Sequence, residues 1–199
     1  MEEMPAPGPE AAPAEGVAAE GVAAEGNVLA TFAYLVRDLL LAVIIAFVII
    51  FFVYQPVRVE GTSMMPALAD QERIFVNIFA YRLGLAEINR GDTVVFRFPQ
   101  DPSKHYIKRV IGLPGDTVEV RDGTVILNGQ GLPETYVPEE YRDRMSIPQQ
   151  RVGGGQYFVM GDHRSSSNDS RAWGPVDRES IYGKAVFVYW PLDRLGLLH

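Results

Sequence analysis

Few side chains in this 199-residue chain can do chemistry. It has no cysteine, three well-separated histidines (His105, His163 and His199) and only three lysines, Lys104, Lys108 and Lys184. Without cysteine there is no thiol nucleophile, disulfide framework, iron–sulfur cluster or cysteine-ligated zinc. The histidines lack any local metal-ligand spacing, and neither a GxxxxGK[ST] phosphate loop nor a strand-linked GxGxxG occurs. The GxSxG elbow of α/β-hydrolases is missing, and no serine stands three residues before a lysine, as in β-lactamases. No cofactor or metal site is therefore expected. One chemistry still open is a serine working with a lysine. Lys108 sits in YIKRVIGLPGD, an apolar strand context. It reads either as an edge-strand lysine reaching solvent or as a buried amine kept neutral by desolvation. Bringing a lysine pKa from about 10.4 to about 8 costs roughly 3 kcal/mol, and the neutral amine can then take a proton from a hydroxyl. Ser63 lies in EGTSMMPALAD, where Gly61 permits an unusual backbone angle and Met64 and Met65 put apolar side chains in an otherwise polar turn. By itself it could equally be an ordinary loop serine.

These residues need elements to position them. From Arg58 on, short runs rich in Val, Ile, Phe and Tyr alternate with Gly, Pro, Asn and Asp: RIFVNIF, DTVVFRF, YIKRVIG, QYFVMGD and IYGKAVFVYW. Asp122-Gly123 between TVEVR and TVILN predicts a hairpin. The reading is a mostly β domain over 57–199, with 131–155, polar and rich in Pro and Gly, as an excursion over its surface. If the strand around Lys108 alternates, Tyr106, Lys108 and Val110 share one face and Ile107, Arg109 and Ile111 the other.

Ahead of this domain, LLLAVIIAFVIIFFVY (Leu39 to Tyr54) carries no charge, Pro or Gly. Extended back to Tyr34, it would make a helix of roughly 31 Å, matching a bilayer core of about 30 Å. With no small-x-small cleavage site after it, residues 28–56 read as a single transmembrane anchor. Lys and Arg flanking the span are too few to orient it. Residues 1–27 hold the quasi-repeat AEGVA-AEGVA-AEG and no aromatic residue, which reads as a disordered acidic tail. The formal net charge of −7 sits mostly there: residues 1–33 carry six glutamates and no basic residue. The rest is nearly balanced and has no basic motif, which argues against a nucleic-acid partner.

Four blocks in order, SMMPAL from Ser63, GDTVVFRFP from Gly91, YIKRVIGLPGD from Tyr106 and GDHRSSSNDSRAWGPV from Gly161, follow a single apolar span. Together they resemble the bacterial type I signal peptidases. The resemblance implies a β-sheet catalytic domain behind one transmembrane helix, with Ser63 as nucleophile and Lys108 as general base. It implies that Ser167 hydrogen-bonds and orients the lysine and that Tyr106 helps wall it from water. Asp169 and Arg171 would form a supporting ion pair, with Asp162 and Arg164 in the same motif. Gly61 stands where some members carry a serine that assists the oxyanion hole. His163 stands in place of the usual Asn. The implied partners are signal-peptide-bearing preproteins, the lipid bilayer and the secretion machinery. The catalytic domain would lie on the outer face of the cell membrane and the acidic tail in the cytoplasm. Met64, Phe75 and Ile107 are candidates for the substrate pocket. The competing readings are a self-cleaving Ser-Lys peptidase of the LexA-like type, which the membrane span opposes, and a membrane-anchored β adaptor without activity, which the intact Ser63, Lys108 and Ser167 oppose.

Overall fold

The computed structural model describes residues 17–198, and the chain divides into two compact units, Met1–Val48 and Ile49–His199. The described residues of the first unit are helical. Helix α1 runs Val17–Val53. Its segment Ala30–Ile49 has 20 residues and a mean hydropathy of 2.4, and none of it is buried within the protein. A helix apolar on all sides needs a nonaqueous surrounding. Its two charged residues neutralise each other: Arg37 donates to Asp38 at 2.8 Å, and its guanidinium lies 5.1 Å from the Tyr34 ring centre. α1 takes in residues 17–27, which composition assigned to a disordered tail; residues 1–16 lie outside the described residues. Ala and Glu favour helix, and extending an existing helix adds one hydrogen bond per residue. Gly21 and Gly26 weaken this extension by about 1 kcal/mol each without stopping it.

The second unit has twelve strands: β1 (Tyr54–Arg58), β2 (Arg73–Asn77), β3 (Thr93–Phe98), β4 (Asp101–Gly112), β5 (Thr117–Arg121), β6 (Thr124–Leu127), β7 (Gln130–Gly131), β8 (Ile147–Arg151), β9 (Gln156–Met160), β10 (Val176–Asp177), β11 (Ile181–Trp190) and β12 (Gly196–Leu197). Residues 54–56, read as the end of the anchor, thus already belong to β1. The larger sheet has the order β1-β2-β11-β3-β4-β9-β10, with β12 on β11; the smaller is β7-β6-β5-β8. β3 is central, between β11 and β4, and five of its six residues are buried. That explains why TVVFRF reads as an almost unbroken apolar run rather than an alternating one.

The expected hairpin is present between β5 and β6, with Asp122 and Gly123 at φ 46° and 76°. Gly123 is required twice over, because a Cβ there would also meet the Asp143 carbonyl oxygen at 2.0 Å. The segment 131–155 departs from expectation. β8 within it pairs with β5, and Glu134, Val137 and Val152 are buried. Its polar side chains suggested solvent exposure, but several are neutralised by partners far away in sequence.

Three elements deliver the site. The loop 59–72 links β1 to β2 and is closed by main-chain bonds Val59 N–H to Glu72 C=O at 2.8 Å and Gln71 N–H to Val59 C=O at 2.9 Å. Strand β4 supplies Lys108. The loop 161–169 leaves β9 and ends at the one-turn helix α2 (Ser170–Trp173), whose Arg171 N–H is capped by the Asp169 side chain.

Candidate active site

Loop 59–72 and strand β4 meet at Ser63 and Lys108. Lys108 Nζ lies 2.6 Å from Ser63 Oγ and donates to the Ile107 carbonyl at 3.1 Å. Only 4% of Lys108 is exposed. Burial is the main cause that brings its pKa down to about 8; the Asp169 and Asp162 carboxylates oppose the change and Arg171 adds to it. A neutral amine can keep an N–H on Ile107 and turn its lone pair to the Ser63 hydroxyl. The Tyr106 ring centre stands 5.4 Å from Nζ, and that ring stacks on Phe98 at 4.6 Å, so an aromatic layer covers one side of the lysine.

Behind the lysine lie three buried ion pairs. Asp169 accepts from Arg171 at 2.8 and 2.9 Å, the local pairing expected from sequence. Asp162 and Arg164 do not pair with each other. Asp162 takes two bonds from Arg109, at 2.8 and 2.7 Å, and Arg164 gives two to Glu134, at 2.6 and 2.5 Å. Arg171 also reaches Asp143 at 2.6 Å. Tyr136 joins two of these groups: its hydroxyl donates to Glu134 at 2.9 Å, and its ring lies 4.5 Å from the Arg109 guanidinium carbon. Arg109, Glu134, Tyr136 and Asp143 were not singled out from sequence. Arg109 carried a signal, since a charged neighbour of Lys108 within an apolar strand needs a buried counter-charge. Glu134 and Asp143 carried none, because their partners are 30 and 28 residues away.

Ser167 differs from expectation. Its Oγ is buried and has no hydrogen-bond partner, so it does not hold Lys108. It packs against Gly161, where a Cβ would lie 2.3 Å from Ser167 Oγ and 2.4 Å from the Ser63 carbonyl oxygen. At Gly161 the two loops approach too closely for a side chain. Gly61 has φ +94°, and its N–H donates to Asp70 at 2.7 Å. That bond, with help from Gln71, holds the Asp70 carboxyl below the usual range. The Gly61 N–H is therefore committed to the loop and not free for a substrate oxygen.

A cleft of about 740 Å³ opens onto the Ser63–Lys108 pair. Its walls include Val57, Ile74, Val95, Ile107, Tyr106 and Tyr182, with Ser63 and Lys108 at one side. Ile107 is on this wall, but Met64 and Phe75 are not. Met64 is 1% exposed and packs in the core with Val59, Leu68 and Ile74. Phe75 points to the other face of β2 from Ile74 and stacks on Tyr189 at 4.5 Å. A second cavity of about 750 Å³, lined by Tyr81, Arg97, Tyr157 and Arg178 among others, holds no serine or lysine and shares only Tyr182 with the first. Among the described residues no group of three or more His, Cys, Asp or Glu side chains is placed to hold a metal ion.

Residues 32–190 match the family described as signal peptidase, peptidase S26. The chain is 38% identical over 169 residues to a signal peptidase I of Bacillus licheniformis, covering 80% of this chain and 89% of that protein. It is 39% identical over 169 residues to a probable signal peptidase I-1 of Synechocystis sp., covering 80% and 83%. A solved structure of a signal peptidase I from Enterococcus faecalis is 35% identical, covering 50% of this chain and 97% of that one, with a TM-score of 0.44. On the extent of the family match and of the two sequence relatives, the chain belongs to the signal peptidase family, peptidase S26, a family of serine hydrolases.

Proposed function

We propose that the chain is a membrane-anchored endopeptidase that removes signal peptides from exported preproteins with Ser63 as nucleophile and Lys108 as general base. The observation that carries this reading is the 2.6 Å contact between Ser63 Oγ and a lysine amine that burial brings to a pKa of about 8. Ser63 Oγ attacks the scissile carbonyl while neutral Lys108 takes its proton. The Lys108 ammonium then protonates the departing amine. Water hydrolyses the acyl-enzyme, with Lys108 again as base. The Ser63 main-chain N–H is the donor to the oxyanion, since the Gly61 N–H is engaged by Asp70.

The cleft's aliphatic walls at Ile74, Val95 and Ile107 suit the small residues of A-x-A-like cleavage sites. Segment Ala30–Ile49, about 30 Å long as a helix, serves as the span. It places the enzyme in the same plane as a membrane-tethered substrate, which raises effective concentration without new contacts. The catalytic domain stands on the extracytoplasmic face, where signal peptides emerge from the secretion machinery. The test is cleavage of a synthetic preprotein by the purified full chain. Wild type releases the signal peptide, and Ser63→Ala and Lys108→Ala each abolish release. Undiminished cleavage by either variant would overturn the assignment.

A further inference from the structure

One residue outside the dyad grips the nucleophile's backbone directly. His163 donates its main-chain N–H to the Ser63 carbonyl at 3.1 Å, and its Nδ1 lies 3.2 Å from the Thr62 carbonyl oxygen. A carbonyl oxygen only accepts, so this second contact requires the tautomer with hydrogen on Nδ1. The imidazole is seated by Tyr141, whose ring meets it edge-on at 4.5 Å between centres. The residue before it, Asp162, is fully buried and held by Nε and Nη2 of Arg109, the neighbour of Lys108. A short chain of contacts therefore runs from Ser63 through His163, Asp162 and Arg109 back to Lys108.

The Thr62 carbonyl and the Ser63 N–H belong to one planar trans peptide group and point in opposite directions. That carbonyl also accepts the Met65 main-chain N–H at 3.1 Å; His163 adds a second donor from outside the loop, which helps set where the Ser63 N–H points and polarises it as a donor. We propose that His163 is a positioning residue that orients the Thr62–Ser63 peptide, and with it both Ser63 Oγ and the N–H that meets the oxyanion. This rests on the Ser63–Lys108 reading. It gains weight from Gly61, whose N–H is held by Asp70 and leaves the Ser63 peptide to carry the task.

The test compares His163→Asn, His163→Gln and His163→Ala in the full chain, by steady-state cleavage of a synthetic preprotein and by thermal unfolding. An Asn amide nitrogen occupies the place of Nδ1, whereas a Gln amide falls at the place of Nε2. The Gln and Ala variants are expected to lose about 10- to 100-fold in kcat with KM held within about twofold, and Asn to return to within about threefold of wild type. Equal kcat in all the proteins, an equal fall for Asn and Gln, or a loss confined to KM overturns the proposal. Ser63→Ala runs in parallel. If it cleaves, the dyad reading fails; if it is inactive while every His163 variant matches wild type, only the His163 role fails. Should the Gln or Ala variant not fold, Tyr141→Ala decides. It unseats the imidazole without touching the loop, so a several-fold fall in kcat at constant KM supports the role and an unchanged kcat overturns it.

Discussion

Ser63 Oγ and Lys108 Nζ stand 2.6 Å apart although their residues are 45 positions apart in the chain. Neither element alone can set that distance. Ser63 sits in a loop closed by Val59, Gln71 and Glu72, and Glu72 is itself anchored by Arg194 at 2.5 Å. Lys108 is held in β4, between β3 and β9. The Ser63–Lys108 contact is a product of sheet assembly.

The lysine fixes the pH dependence. Only the neutral amine can accept the Ser63 proton, so kcat/KM is expected to rise with pH through a limb near 8, the value to which burial brings Lys108. Because the Asp169 carboxylate raises the lysine pKa, Asp169→Asn moves that limb to lower pH. A pH–rate profile checks both. A limb near 10 in the wild type contradicts the buried-amine account.

The same burial has a stability consequence of definite sign. The folded-state pKa of Lys108 is depressed from 10.5 to about 8, so below pH 8 the folded protein carries a buried charge that the unfolded chain hydrates freely. Lys108→Met is expected to unfold at higher temperature than wild type at pH 6, by the equivalent of roughly 3 kcal/mol at most. The advantage shrinks between pH 8 and 10.5, where the unfolded chain binds the proton and the folded one does not. Melting curves at pH 6 and 10 measure the difference.

Ion pairs here differ in worth according to burial. Glu134 and Arg164 are each 2% exposed, whereas Arg121, paired with Glu119, is 70% exposed. Glu134→Ala leaves Arg164 as an uncompensated buried charge and is expected to destabilise by about 3–5 kcal/mol. Arg121→Ala is expected to cost about 0–1 kcal/mol. Urea unfolding midpoints of the two variants separate these outcomes.

Gly161 offers a steric test of loop contact. Gly161→Ala puts a methyl group 2.4 Å from the Ser63 carbonyl oxygen as well as against Ser167, so the nucleophile's loop must shift. A displacement of about 1 Å is enough for a 10²-fold loss in kcat. Ser167→Ala added to Gly161→Ala is not expected to restore activity, because the clash with the Ser63 backbone remains. Steady-state kinetics of the single and double variants decide it.

What could be read from the sequence was local. Strand periodicity placed Tyr106 and Val110 on one face, and the two do share one cluster while Ile107 packs in another. Asp122-Gly123 specified its turn through the backbone angles it allows. The Asp169–Arg171 pair came from the family resemblance, since the motif alone reads as a solvated polar turn. The Asp162–Arg109 and Arg164–Glu134 pairs span 53 and 30 residues, and no local pattern encodes which arginine meets which carboxylate. Alternation also could not tell which face of β2 borders the cleft, and that alone separates Ile74 from Phe75. The polarity of 131–155 misled for the same reason, since a charged residue looks solvated until its distant partner is known.

The smaller sheet therefore has two ends with unequal tolerance for added chain. At the β6–β7 turn, Gly129 at φ +82° has open space around it, and residues inserted there would lengthen the hairpin away from everything else. An insertion between Glu134 and Asp143 would act differently. It would change the spacing of Glu134, Tyr136, Tyr141 and Asp143, whose partners are Arg164, Arg109, His163 and Arg171. A tag or reporter peptide belongs at the first place, and a graft at the second would be felt at the nucleophile.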